Sequence, residues 1–402
     1  MSATISTQHG QDAGIVDLAR GDPGRDLLPA ALVREAADRA TAALDPDLLQ
    51  YGLESGDAGV REALSGFLES EGAGAVSPER LFLTAGASLA LHLVCTLFAR
   101  PGDRVLVAEP TYHLALAQFH DLGLCVEGVA SDADGVVPEA LEAALLGGPA
   151  ALLYLVPVHA NPTGTTLPPE RQAAVVALTA RHGVRVVADE VYRLTGFTPP
   201  AGAGATADPP PRSLAALDGE HVLALNSVSK VLSPGLRLGW IEGPPADLRR
   251  IATSGVLRSG GGMNPFPAAV VRAAIDSGAL AEHVARVRAL LRERHWALAS
   301  ALRAELPQAS FTPAAGGYFL WVRVPGLDVD ADEMRASLTR HAVRVAPGTL
   351  FLPATAEGTG HAGAGGAGHA REFMRLCFAH AEPETLREGV ARLAAALVDA
   401  GA

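Results

Sequence analysis

The sequence predicts an α/β fold of two lobes, a large one built on a mostly parallel sheet covered by helices and a smaller α+β one. Three observations predict it. The chain has 402 residues, more than one hydrophobic core normally serves. Its first two thirds alternate short apolar runs with helix-like segments, the order that places parallel strands under crossover helices. Its last third opens on a long amphipathic stretch and then gives further apolar runs, a mixture of helix and sheet.

Taken in order, residues 30–44 (AALVREAADRATAAL) carry helical apolar spacing, and QYGLESGDAGVREALSGFLESEG is a turn leading into a second amphipathic helix. LFLTAG, RVLVAEP, CVEGVA, AALLYLVP, VRVVADE and HVLALNS are the expected sheet strands. From residue 283, HVARVRALLRERHWALASALRAEL reads as a helix, followed by GGYFLWVRVP, VRVAPG, FMRLCFA and a final helix. Residues 1–48 are expected to form an N-terminal arm and part of the small lobe, 49–285 the large domain and 286–402 the small one. Two low-complexity segments, 198–212 and 357–370, are rich in Gly with Pro or His and read as exposed loops.

Composition narrows the partners. Apolar residues make up 49% and charged residues 19%, which suits a folded globular enzyme. The net charge of -12 repels phosphate backbones and anionic membranes, so a small molecule is expected rather than nucleic acid or membrane. Cys95, Cys125 and Cys377 stand far apart among apolar neighbours and read as buried thiols, with no Cys/His metal spacing. The N-terminus MSATISTQHGQDAG has no basic region followed by an apolar stretch, and no run is long enough to span a bilayer; a cytoplasmic location is expected.

Lys230 is the only lysine among 32 basic residues. A guanidinium is protonated at every accessible pH and forms no imine, so the one deprotonatable amine stands out. Around it, LNSVSKVLSPGLRLGW sets Ser227, Ser229, Lys230 and Arg237 along one turn after an apolar strand. Hydroxyls and a guanidinium can hold a phosphate dianion, and an amine desolvated beside that cation becomes a nucleophile and then a base.

The SxSKxxxPGxRxGW pattern resembles the fold-type I pyridoxal-phosphate aminotransferases, class I/II, within the branch of aminoadipate aminotransferases and the enzyme-like half of MocR regulators. The resemblance covers nearly the whole chain. It implies a seven-stranded sheet in the large domain, pyridoxal 5'-phosphate as cofactor, Lys230 as the Schiff-base residue and an amino acid with a 2-oxo acid as substrates. In TAGASLAL, the amides of Gly86, Ala87 and Ser88 with the Ser88 hydroxyl match a phosphate site at a helix N-terminus. Tyr112 of EPTYHLA matches the aromatic lying on the pyridine ring; simple packing is the other reading. Asn161 of HANPTG matches the donor to the cofactor's phenolic oxygen, or is an ordinary Asn-Pro turn.

Asp189 and Tyr192 of VRVVADEVYRLTGF match the partners of the pyridine nitrogen and the phenolic oxygen, although Asp189 alone also fits a helix N-cap. Arg375 of FMRLCFAH matches the clamp on the substrate carboxylate; alone it also fits a structural salt bridge. Tyr51 matches a tyrosine that reaches the phosphate of a neighbouring subunit's cofactor, which implies a homodimer with shared sites. LARGDPGRDLLP resembles the segment that closes over substrate, making Gly21 a backbone contact and Arg20 or Arg25 side-chain readers. The glycines of LRSGGGMNPFP are expected to leave room for substrate or for a side chain from elsewhere. The same parts serve a lyase or synthase working at the β- or γ-carbon. A non-enzymatic ligand sensor is disfavoured by the acidic charge and by the lack of a DNA-binding motif before residue 15.

Overall fold

The structure, a computed structural model, describes residues 14–42, 46–72, 74–198, 211–217, 219–353 and 369–401. Most of the two low-complexity segments lies outside the described residues.

The apolar runs become strands because their alternate residues meet cores on opposite faces. In chain order these are β1 (Val16–Asp17), β2 (Leu81–Thr84), β3 (Arg104–Glu109), β4 (Cys125–Asp132), β5 (Gly135–Val136), β6 (Leu152–Leu155), β7 (Arg185–Asp189), β8 (Val222–Ser227) and β9 (Gly239–Glu242). The large sheet runs β2-β9-β8-β7-β6-β3-β4-β5. Seven strands make its body, and β5 adds an eighth of only two residues by folding back on β4. Strands β8, β7, β6, β3 and β4 are mutually parallel, and β9 runs against both its neighbours.

Period-two alternation covers both faces. After α1 (Ala30–Ala42) and α2 (Ala58–Ser70) in the chain, Val105, Val107, Leu152, Tyr154, Val187 and Leu225 pack on α3 (Ala87–Phe98) and α4 (His113–Asp121), while Leu106, Leu153, Leu155, Val186 and Ala188 pack on α5 (Pro138–Leu146) and α6 (Pro169–His182). Cys95 and Cys377 are buried as expected, but Cys125 is exposed. It opens β4, next to the outer edge of the sheet, where alternate residues face out.

The second layer is a three-stranded antiparallel sheet, β10 (Phe319–Arg323), β13 (Phe373–Cys377) and β12 (Ala346–Pro347), in the order β10-β13-β12. β1 pairs in parallel with β11 (Val343–Arg344) beside it. The 27-residue helix Ala279–Glu305 runs from the large lobe into the small one and packs on the C-terminal helix Pro383–Asp399. The N-terminal helix Ala30–Ala42 packs instead on the helix Pro265–Asp276, with Ala36 in one apolar cluster with Leu64 and Val270.

Among the described residues no helix is long and apolar enough to cross a membrane, and no group of His, Cys, Asp or Glu is arranged to hold a metal ion.

Candidate active site

Parallel strands end on one edge of the sheet, and the loops leaving that edge converge. Gly86 follows β2, Tyr112 follows β3, Asn161 follows β6, Asp189 closes β7, and Ser227 to Lys230 close β8. Five separated motifs thereby meet in one cleft, which the small-lobe strand β13 closes with Arg375 as a sixth.

Antiparallel β9 fastens the Lys230 turn to the Gly86 turn. Gly239 pairs Thr84 on one side and Ser227 on the other, and a Cβ on Gly239 would meet the Gly86 backbone at 2.9 Å. Gly86 has φ +90°, and a Cβ there would lie 2.5 Å from Arg237 Nη2, so this position requires glycine. Arg237 is exposed and donates to the Ala85 and Pro234 carbonyls, each at 3.1 Å. Ser227 and Ser229 hydroxyls lie 2.8 Å apart, Ser227 Oγ donates to Leu238 O at 2.9 Å, and Ser88 is exposed on the first turn of α3. The result is a cradle of helix-start amides, hydroxyls and a guanidinium, the donor set a phosphate needs.

Lys230 Nζ donates to Gly21 O at 2.9 Å and lies 5.6 Å and 5.3 Å from the ring centres of Tyr192 and Tyr318. Burial pulls the Lys230 ammonium below its ordinary pKa, and Arg375 adds to that, while Cys377, Asp22 and Asp189 oppose it. The amine therefore loses its proton more readily than a surface lysine. Asp189 is buried with no ion-pair partner among the described residues. Its Oδ2 accepts from Tyr154 Oη at 2.9 Å and its Oδ1 from the Val191 amide at 3.5 Å; burial raises its pKa, and the Tyr154 hydrogen bond opposes that. Burial also lifts the Tyr112 phenol to about 12 and holds the Tyr192 phenol well above its ordinary value.

Arg375 is 4% exposed. Its Nη1 donates to Asn161 Oδ1 at 2.9 Å and its Nη2 to Ala19 O at 2.5 Å, and its guanidinium carbon lies 4.1 Å from the Phe319 ring centre and 4.9 Å from that of Phe351. Arg375 Nε has no hydrogen-bond partner among the described residues. Burial lowers its pKa, a shift that Cys377, Tyr192, Tyr112 and Asp17 oppose, and no carboxylate lies within ion-pair distance of it among the described residues.

Gly21 lies against Phe319, and a Cβ there would be 3.8 Å from Arg375 Nη2. Arg20 instead forks onto Asp22 at 2.9 and 2.7 Å, and Arg25 sits in the short helix Arg25–Leu27. Tyr51 is 73% exposed, with its backbone oxygen set against Gly261. The Gly261–Gly262 pair leaves no room for substrate here: a Cβ on either would meet the backbone oxygen of Tyr51 or Leu53 at 2.2 or 2.1 Å. Their role is close approach of the 51–53 segment.

Several site residues escape the sequence reading. Tyr154 holds Asp189, Tyr318 Oη donates to Lys230 O at 2.6 Å, and Phe319 with Phe351 covers Arg375. Tyr154 left a usable signal, because a lone phenol inside the aliphatic run AALLYLVP must find a hydrogen-bond partner when buried.

The residues present fit pyridoxal phosphate: a phosphate cradle, a buried amine of lowered pKa, a buried carboxylate without a cation and a buried guanidinium without an anion. The sequence model of "Aminotransferase class I and II" matches residues 13–393. The 2-aminoadipate transaminase of Thermus thermophilus is 30% identical over 96% of this chain and 91% of its own. The HTH-type transcriptional regulator YdfD of Bacillus subtilis is 26% identical over 96% of this chain and 74% of the regulator. The crystal structure of the Thermus thermophilus α-aminoadipate aminotransferase, complexed with N-(5'-phosphopyridoxyl)-L-leucine, superposes with a TM-score of 0.82 at 28% identity, over 96% of this chain and 93% of that one. Cleft, fold and sequence agree: the chain belongs to the class I and II aminotransferases and is a pyridoxal-phosphate-dependent aminotransferase acting on an amino acid.

Proposed function

We propose that amino-group transfer from an amino acid to a 2-oxo acid runs at this cleft with Lys230 as the cofactor-linked amine and proton carrier. The observation that carries the assignment is the placement of the chain's one lysine between a buried carboxylate and a buried guanidinium, neither with an ion-pair partner among the described residues. Pyridoxal phosphate supplies an electron sink for the charge left at Cα when its proton is removed. Gly86, Ala87, Ser88, Ser227, Ser229 and Arg237 hold its phosphate. Asp189 and Tyr192 face its ring nitrogen and phenolic oxygen, Asn161 shares the latter, and Tyr112 covers the ring. Arg375 binds the substrate α-carboxylate at two points, with Asn161 and the Gly21 backbone beside it.

The active unit in this reading is a homodimer. Leu49, Tyr51, Leu53 and Phe266 are exposed, the last three beside or within a groove of about 860 Å³ lined by Gly52, Leu53, Met263 and Arg272. An apolar surface of this kind is normally covered, and a second copy would bring Tyr51 to the partner's phosphate site. Three free thiols favour a reducing, cytoplasmic setting, and the net charge of -12 favours a small-molecule partner over nucleic acid.

Borohydride treatment of the loaded protein should fix the cofactor onto a single peptide, the one containing Lys230. Lys230→Ala should lose that label and about four orders of magnitude in turnover. Label on the N-terminal amine alone, or normal turnover in the variant, sinks the assignment; a fully active monomer in sedimentation of the same sample sinks the shared site.

A further inference from the structure

The turn between β7 and the short helix Arg193–Thr195 has two sides. Asp189 and Tyr192 point into the cleft. Glu190 and Arg193 point away from it, into a second charged cluster that the reaction does not use. Glu190 is 1% exposed, Glu242 2% and Arg193 3%. Arg193 Nε lies 3.3 Å from Glu190 Oε2, and Arg193 Nη2 lies 3.9 Å from Glu242 Oε2, ion-pair distances at which no nitrogen of the guanidinium makes a hydrogen bond among the described residues. The other Glu190 oxygen accepts from the Leu214 amide at 2.8 Å and from Ser213 Oγ at 3.2 Å.

The connections of this cluster define what it can do. Glu190 is chain neighbour to Asp189, and Arg193 to Tyr192. Glu242 lies on β9, whose other end, Gly239, packs on Gly86 and pairs with Ser227. One guanidinium thus ties the turn bearing Asp189 and Tyr192 to the strand that shapes the phosphate cradle. A salt bridge meant only for stability gains little from burial, because removing two carboxylates and a guanidinium from water costs about what their attraction returns. Fixing a geometry is the attested return on such a cluster.

We propose that Arg193 is a positioning residue: clamped between Glu190 and Glu242, it sets the turn that aims Asp189 and Tyr192 into the cleft and holds it in register with the phosphate cradle. This rests on the reading that those two residues face pyridoxal phosphate. The phosphate cradle itself does not include Arg193, so in a folded variant its loss should alter how the ring is held more than how the phosphate is bound.

The test compares wild type, Arg193→Met, Arg193→Lys and the double variant Glu190→Gln/Arg193→Met. Each is measured for thermal midpoint, for pyridoxal phosphate dissociation and for the pH midpoint of the visible absorbance of the lysine-bound cofactor. Arg193→Met should weaken cofactor retention by about tenfold and move the absorbance midpoint by about half a unit or more, with Arg193→Lys in between. A wild-type midpoint and affinity in a folded Arg193→Met overturns the proposal. If Arg193→Met fails to fold, the double variant decides, since it leaves one carboxylate fewer unpaired: a folded double variant with a shifted midpoint supports positioning, and one with wild-type spectra overturns it. If wild type takes up no pyridoxal phosphate, the functional reading fails separately. Amide hydrogen exchange over residues 189–195 then decides, faster exchange in Arg193→Met supporting the proposal and unchanged exchange overturning it.

Discussion

Two arginines of this protein are equally buried and differ in everything else. Arg193 lies within ion-pair distance of two carboxylates of its own chain, so its charge is answered by charge, although no hydrogen bond joins them among the described residues. Arg375 has no carboxylate within ion-pair distance among the described residues; a side-chain amide, a backbone carbonyl and two phenyl faces surround it. Burying a guanidinium without an anion is costly unless a ligand supplies one. The difference teaches what distinguishes two charges at equal burial: the first faces acids of its own chain, while the second is oriented by neutral groups and is left cationic, as the proposed carboxylate clamp requires. Asp189 belongs with Arg375, since its partners are a phenol and an amide.

The contrast breaks first at Arg375. Arg375→Lys should lower kcat/KM for any amino acid on the order of 10²-fold, because an ammonium cannot give two parallel hydrogen bonds to a carboxylate. Cofactor dissociation should stay unchanged, and steady-state kinetics beside a cofactor titration read both. Equal losses would place Arg375 in the same class as Arg193.

A smaller effect is expected at Tyr154, whose hydroxyl favours the ionised form of Asp189. Tyr154→Phe removes a donor while keeping the ring, so the Asp189 pKa rises further and cofactor affinity falls by about tenfold, more steeply at low pH. A pH-independent loss would show that the phenol acts by packing alone.

The smallest effect sharpens the paired side of the comparison. Burial, with Glu242 adding to it and Arg193 opposing it, raises the Glu190 pKa from 4.5 to about 7. Ser213 and the Leu214 amide also face Glu190, and Arg80 acts on Glu242. A carboxyl that binds its proton more tightly when folded contributes stability fully below pH 4.5 and loses it as pH rises toward 7. Glu190→Gln, always neutral, should therefore flatten the fall of the thermal midpoint across that window. A constant offset between the two proteins would show that Glu190 stays ionised throughout.

Much of this site was legible in the chain because the local rules are strong. A sole lysine flanked by hydroxyls and an arginine, an Asp closing an aliphatic strand and an Arg inside another are each conspicuous against what strands normally contain. Other features were not legible, for a physical reason: they depend on which strands become neighbours. Nothing in GWIE announces that Glu242 will face Arg193, since that follows from β9 inserting between β2 and β8. Nor does SGGGM reveal that Gly261 and Gly262 admit the backbone of residues 51–53, while Gly260 faces open space.

By itself the sequence determined the alternation of strand and helix and, through the residue types around Lys230, Asp189 and Arg375, the class of cofactor they suit, because these depend on residue type and short spacing. Only the tertiary structure decided which charges are answered. Arg20 is paired by Asp22, Arg193 by two glutamates, and Arg375 by no acid among the described residues. Pairing is a property of distances across the fold, and a guanidinium reads the same in the sequence whether its anion comes from the chain or from the substrate.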